Sequence, residues 1–192
     1  MNVGIVVEGL YDYSSYPAII RRIRNDIGRP QVRECGGKSK LKGRFLQCLK
    51  EFQNPAWEIE LAIVVRDSDC NPPQPIENQL REILNASRLR PHFPVELFAV
   101  PCVLESWLLS DLHAIQNVAA QRGHGGAADL SVQIPNTHAP NDKKLFFRVL
   151  GHHSLPATPP VYEEIARIVN LDMIGQRCKY FREFVRRIRN IK

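Results

Sequence analysis

Val6-Val7-Glu8-Gly9-Leu10-Tyr11-Asp12 and Val64-Val65-Arg66-Asp67-Ser68-Asp69 decide how this chain reads. Each is an apolar run that ends abruptly in acid. A strand buried on both faces reads as a continuous Val/Ile/Leu run. In an open α/β sheet, ligands bind in the crevice beyond the carboxyl ends of the strands. Glu8, Asp67 and Asp69 are therefore expected to face one crevice. Carboxylates gathered there repel one another unless a cation lies among them. Hard oxygen ligands suit Mg²⁺ (or Mn²⁺), and Mg²⁺ keeps most of its waters and takes only one or two carboxylates. The pattern predicts a divalent metal held against phosphate.

Around these two stretches the chain alternates. Residues 2–8 read as a first strand, and Ser14 or Ser15 caps a helix with Pro17 in its first turn and Ile19, Ile20, Ile23 and Ile27 as its buried stripe. Residues 31–35 form a short strand ended by Gly36-Gly37. Phe45, Leu46, Leu49 and Phe52 then recur at helical spacing. Residues 59–65 are the clearest strand, 71–75 a loop, and Ile76, Leu80, Ile83 and Leu84 mark another helix. Residues 95–100 form a fourth strand. Leu104, Trp107, Leu108, Leu112 and Ile115 define one further helix, with Trp107 in the core. The order predicts an α/β fold, a Rossmann-like and mainly parallel sheet of about four strands flanked by helices. Residues 1–122 would form that core. Residues 123–160, rich in Gly, Pro, His and Asn, read as an irregular insertion with a short helix near 145–150. Residues 161–192 read as a C-terminal helical extension packing on the core.

Composition narrows the class. The 192 residues suffice for a full core without disulfides. No run approaches the ~20 apolar residues of a membrane span, and the opening segment reads as a strand, so no secretory leader is expected. Five cysteines stand singly with no CxxC pair, so reduced, packed thiols in a cytoplasmic protein are expected. The net charge of +6 is unevenly spread. Arg21, Arg22, Arg24, Arg29, Arg33, Lys38, Lys40, Lys42 and Arg44 crowd the first quarter, and Lys179, Arg182, Arg186, Arg187, Arg189 and Lys192 the end. These cations either hold the backbone of a nucleic acid, DNA or RNA, or form solvated helix faces.

Further candidates surround the acids. Asp12 is either a residue behind the metal ligands or a favourable charge at a helix N-terminus. Asp67 and Asp69, one residue apart in an extended segment, point to the same side. Glu105 brings a third strand's acid to the same edge and is a candidate metal ligand. Asp111 either supports it from behind or caps a helix. Gly36-Gly37-Lys38-Ser39-Lys40 lacks the spacing of a P-loop, yet Lys38 and Lys40 could meet phosphate. Lys143 and Lys144 either offset charge on a scissile phosphate, with Lys144 as a catalytic candidate beside Glu8, or form an exposed pair. The six histidines show no ligand spacing.

Glu8-Gly9-Leu10-Tyr11-Asp12 followed by Asp67-Ser68-Asp69 resembles the Toprim domain of topoisomerases, bacterial primases and OLD-family nucleases. The whole chain is similar to the small Toprim-like family DUF4276. That similarity includes the Cys-Gly-Gly after the second strand, the series Cys102, Glu105, Trp107 and Asp111, and the tail from Glu164 to Phe184. The resemblance implies a Toprim fold, Glu8 as general acid/base, and Asp67 and Asp69 as Mg²⁺ ligands. It implies metal-dependent phosphodiester cleavage, a separate ATPase partner and a role in phage defence. Competing readings are a non-catalytic Toprim-like regulatory or binding module that docks on an ATPase or nucleic acid, and a glycosyltransferase using Asp67-Ser68-Asp69. A response-regulator receiver would need an acidic pair on its first strand, which is absent here.

Overall fold

The computed structural model describes residues 1–124, 134 and 139–191. Four strands, β1 (Val3–Val7), β2 (Gln31–Glu34), β3 (Leu61–Asp67) and β4 (Val95–Val100), pair in parallel in the order β2-β1-β3-β4. Between them run α1 (Asp12–Ile23), α2 (Lys38–Phe52) and α3 (Pro73–Ala86). After β4 come α4 (Leu104–Leu108), α5 (Leu112–Gln121), α6 (Asp142–His152), α7 (Pro159–Ile168), α8 (Leu171–Arg177) and α9 (Lys179–Asn190). The protein is an α/β fold with a fully parallel sheet and helices on both faces.

The twofold alternation of strand side chains sorts the core into two layers. Ile5, Val7, Ile63, Val65 and Phe98 face α1 and the C-terminal helices, sharing one apolar cluster with Trp107, Phe146, Tyr162, Phe181 and Phe184. Val6, Ala62, Val64 and Leu97 face α2 and α3 with Phe45, Leu49 and Phe52. Gly4 lets the Phe52 ring lie on the sheet, since a Cβ there would come within 2.4 Å of it. The chain leaves β1 outward to β2, then returns past β1 to β3 and β4. Direction thus reverses between β1 and β3, and the crevice at that reversal is where such sheets bind ligands.

Several boundaries differ from the sequence reading. α1 begins at Asp12, not Ser14 or Ser15, so Pro17 lies inside the helix rather than in its first turn. β3 runs on to Asp67 because Arg66 and Asp67 still pair with Ala99 and Val100. The helix expected after β4 is two helices. Asp111 breaks it by turning its carboxylate onto the amide of Ala114 at 3.2 Å, capping α5. Within the expected insertion, residues 125–133 and 135–138 lie outside the described residues, and α6 carries the expected short helix. Among the described residues, no helix is long and apolar enough to cross a membrane.

The cysteines correct an expectation. Cys70 and Cys102 form a disulfide, while Cys35, Cys48 and Cys178 remain as buried thiols. The two partners are 32 residues apart in sequence, but each sits in the loop after one of two adjacent strands. Strand pairing, invisible in Cys spacing, brings them together. Denatured without reductant, the protein should expose three titratable thiols; five would contradict the bridge. Cys102→Ser should cost about 2–4 kcal/mol in urea unfolding, in line with removal of such a closed loop.

Candidate active site

Acids from three strand ends gather at the β1/β3 crevice. Glu8 directly follows β1, and its carbonyl accepts the amide of Gly37 at 2.7 Å. That contact holds the β2–α2 turn, where Gly36 and Gly37 take φ of 78° and 106°, against the end of β1. Asp12 opens α1, and its Oδ2 accepts the Gly9 amide at 2.9 Å. Asp67 closes β3; its Oδ1 accepts the Tyr16 hydroxyl at 2.7 Å and its Oδ2 the Leu104 amide at 3.3 Å. Glu105, in the first turn of α4, accepts the Tyr162 hydroxyl at 3.0 Å and pairs with Lys143 at 3.3 Å.

Burial and neighbouring negative charge make Glu8, Asp12 and Asp67 reluctant to ionise. Burial, then the charges of Asp12, Glu105 and Glu8, push Asp67 well above the carboxylate range, although the Tyr16 hydroxyl opposes this. Burial lifts Asp12 to about 7, with Glu8 and Glu105 adding to it and the Gly9 amide and Lys143 working against it. Burial and the Asp69 carboxylate raise Glu8, opposed by Arg66, Lys38 and Lys143. Burial alone would lower Lys143, but Glu105, Asp67 and Asp12 outweigh it and raise it. The Tyr16 and Tyr162 hydroxyls are held protonated by burial and by the carboxylates they serve, so they remain donors.

Not every expected residue joins this group. Asp69 does not extend β3 with its side chain beside that of Asp67; its φ of 49° turns it outward to an exposed ion pair with Lys38. It still lies close enough to Glu8 to raise that carboxyl. Lys38 therefore meets an acid, and Lys40 is exposed beside Gly36. Asp111 belongs to the scaffold, because its second oxygen accepts the Asn170 amide at 2.8 Å. Lys143, not Lys144, reaches Glu105; Lys144 is exposed on the same turn of α6. Gly9 keeps an ordinary φ, so the turn after Glu8 does not depend on glycine's freedom. In the basic tail, Arg186 pairs with Glu183 and Arg187 with Glu77 and Glu96.

Sequence reasoning missed three members. Tyr16 and Tyr162 carry no local signal of their role, as each looks like another core position of its helix. Arg66 stood in the opening motif as a charge interrupting an apolar strand, which was the available clue. It is buried, with Nε and Nη1 lacking a hydrogen-bond partner among the described residues. Glu8 Oε2 is likewise buried without a partner. As the side chains stand, no three His, Cys, Asp or Glu among the described residues are arranged around one metal position. The donors themselves, all carboxylate oxygens with one orphaned, are the chemistry Mg²⁺ takes.

No family model matches the chain, the DUF4276 family included, and no curated protein matches it. Among solved structures it is similar to the C-terminal region of the OLD protein of Xanthomonas campestris pv. campestris, at 13% sequence identity over 98% of both chains, with a TM-score of 0.47.

The raised carboxyls set a direction for stability. Between the unfolded value of Asp near 3.9 and about 7, folded Asp12 binds more protons than the unfolded chain, so stability falls as pH rises through that window. In metal-free buffer, Asp12→Asn should flatten the fall in thermal midpoint between pH 5 and pH 8. An unchanged slope would contradict the raised carboxyl.

Proposed function

We propose that this protein is a Mg²⁺-dependent nuclease of Toprim type that cleaves phosphodiester bonds in DNA or RNA. The observation that carries the reading is the acid cluster at the β1/β3 switch point, where Glu8 and Glu105 add to the charging cost of the buried Asp12 and Asp67. A protein gains nothing in stability from such a group, and clusters of this kind belong to sites that bind cations or handle protons. Glu8, Asp67 and Glu105 would hold the ion, with Asp69 flanking them and Asp12 braced behind. A bound Mg²⁺ would supply charge stabilisation at the phosphate. Glu8, raised by burial and left with one unpartnered oxygen, is placed to take a proton from an attacking water. Lys143 and Arg66 supply positive charge around the same group, the role sequence gave to Lys144. Cooperation with a separate ATPase and phage defence complete the proposal and rest on the resemblance.

One observation favours a second reading. Tyr16, Tyr162, Lys143 and backbone amides serve Asp67, Glu105 and Asp12. A non-catalytic module that docks on an ATPase or nucleic acid would keep such internal partners.

Incubation with circular and linear DNA and RNA separates the two. The nuclease reading expects cutting with Mg²⁺ or Mn²⁺, none in EDTA, and at least a 100-fold loss in Asp67→Asn at unchanged far-UV circular dichroism, on the order of removing one charge-stabilising group. Undiminished cutting by Asp67→Asn, or no cutting of any substrate by the wild type, would defeat it.

A further inference from the structure

A second feature lies one residue away from the acids. Asp12 is buried in the cluster, whereas Tyr13 turns outward with 43% of its surface exposed. Tyr13 stands at the head of a cleft of about 820 Å³ between α1, the turn into β2, and α7. Arg21, Arg22, Arg29 and Arg167 line it, and Ser14 and Asn25 add a hydroxyl and an amide. Its one acid, Glu163, is already paired with Arg167 at 2.5 Å.

Of the remaining charges, Arg22 donates to the carbonyl of Ala166 at 3.0 Å and feels the nearby Asp111 carboxylate, so it is partly offset. Arg21 and Arg29 are exposed and have no acid partner among the described residues. This distinguishes them from Arg24, Arg33, Arg186 and Arg187, which all pair with carboxylates. Guanidinium groups offer planar donors matched to phosphate oxygens, and an exposed tyrosine ring beside them offers a base a face to stack on. Tyr13, Pro17 and Arg21 follow one another at helical spacing along a single face of α1. Asp12 lies on the opposite, buried side of α1, and the helix rises about 14 Å from Asp12 to Arg21. A polynucleotide strand with one phosphate at the acids would cross the N-terminal end of α1 at Tyr13 and then follow the cleft to Arg21 within a few nucleotides.

We propose that this cleft holds the single-stranded segment flanking the reacting phosphodiester, with a base stacked on Tyr13 and phosphates on Arg21 and Arg29. The proposal rests on the nuclease reading for its direction, but binding in EDTA tests it apart from cutting. A duplex keeps its bases stacked within itself and leaves Tyr13 unused, so the cleft selects single strands.

The test is fluorescence anisotropy with a labelled deoxythymidine 12-mer and a duplex of equal length, in EDTA. Arg21→Gln/Arg29→Gln should bind the single strand about tenfold more weakly, and its log–log salt slope should flatten by about 1.4, the loss of two phosphate contacts. Tyr13→Ala should weaken single-strand binding at least threefold and leave duplex binding unchanged. Tyr13, Arg21 and Arg29 are exposed, so thermal midpoints near wild type are expected. Binding by the double variant within twofold of wild type overturns the inference, as does a duplex bound as tightly as the single strand. Neither result depends on whether the acids cut.

Discussion

Repulsion among buried carboxylates is the constraint around which this molecule is organised. Parallel pairing of β1, β3 and β4 delivers Glu8, Asp67 and the α4 turn bearing Glu105 to one edge, and α1 adds Asp12. Each negative charge raises the cost of the next in a region of low effective dielectric. Such a group persists only where surrounding structure fixes it in place.

Three devices do so. Tyr16 and Tyr162 point hydroxyl donors at Asp67 and Glu105 from helices packed in the core. Lys143 brings a cation from α6, whose start is anchored by a buried pair of Asp142 with Arg177, both Asp142 oxygens within 3.0 Å of one guanidinium nitrogen. Arg177 also donates to the Ser106 carbonyl at 2.7 Å, so α6, α8 and α4 are tied together beside the acids. Removing one partner of a buried pair strands the other charge, which makes this anchor hard to lose. The third device is the Cys70–Cys102 bridge. It joins the loops after β3 and β4, already linked by the Asp69 amide to the Cys102 carbonyl at 2.9 Å and the Cys102 amide to Ser68 Oγ at 3.1 Å.

Strands and the identity of the edge were legible in sequence because buried parallel strands write themselves as apolar runs. Val3–Val7, followed at once by Glu8, and Leu61–Asp67, which closes on its own acid, are such runs. What depended on tertiary contact was not legible. The i, i+2 rule for Asp67 and Asp69 assumed that the strand continued, and the left-handed backbone at Asp69 broke it. Lys143 and Lys144 could not be told apart until the position of α6 fixed which one faces Glu105. Asp111 carried two readings, and its bonds to Ala114 and Asn170 made it a cap. Tyr16 and Tyr162 looked like core because most of each ring is core; only the hydroxyl belongs to the site.

The central claim is that Glu8, Asp67 and Glu105 together form a cation site. Thermal unfolding of the wild type at pH 8, with and without 5 mM Mg²⁺ or Mn²⁺, tests it most directly. A midpoint raised by several degrees, with the rise abolished in Asp67→Asn and in Glu105→Gln, is the predicted result. Equal midpoints with and without either cation, or an equal rise in all three proteins, would contradict it.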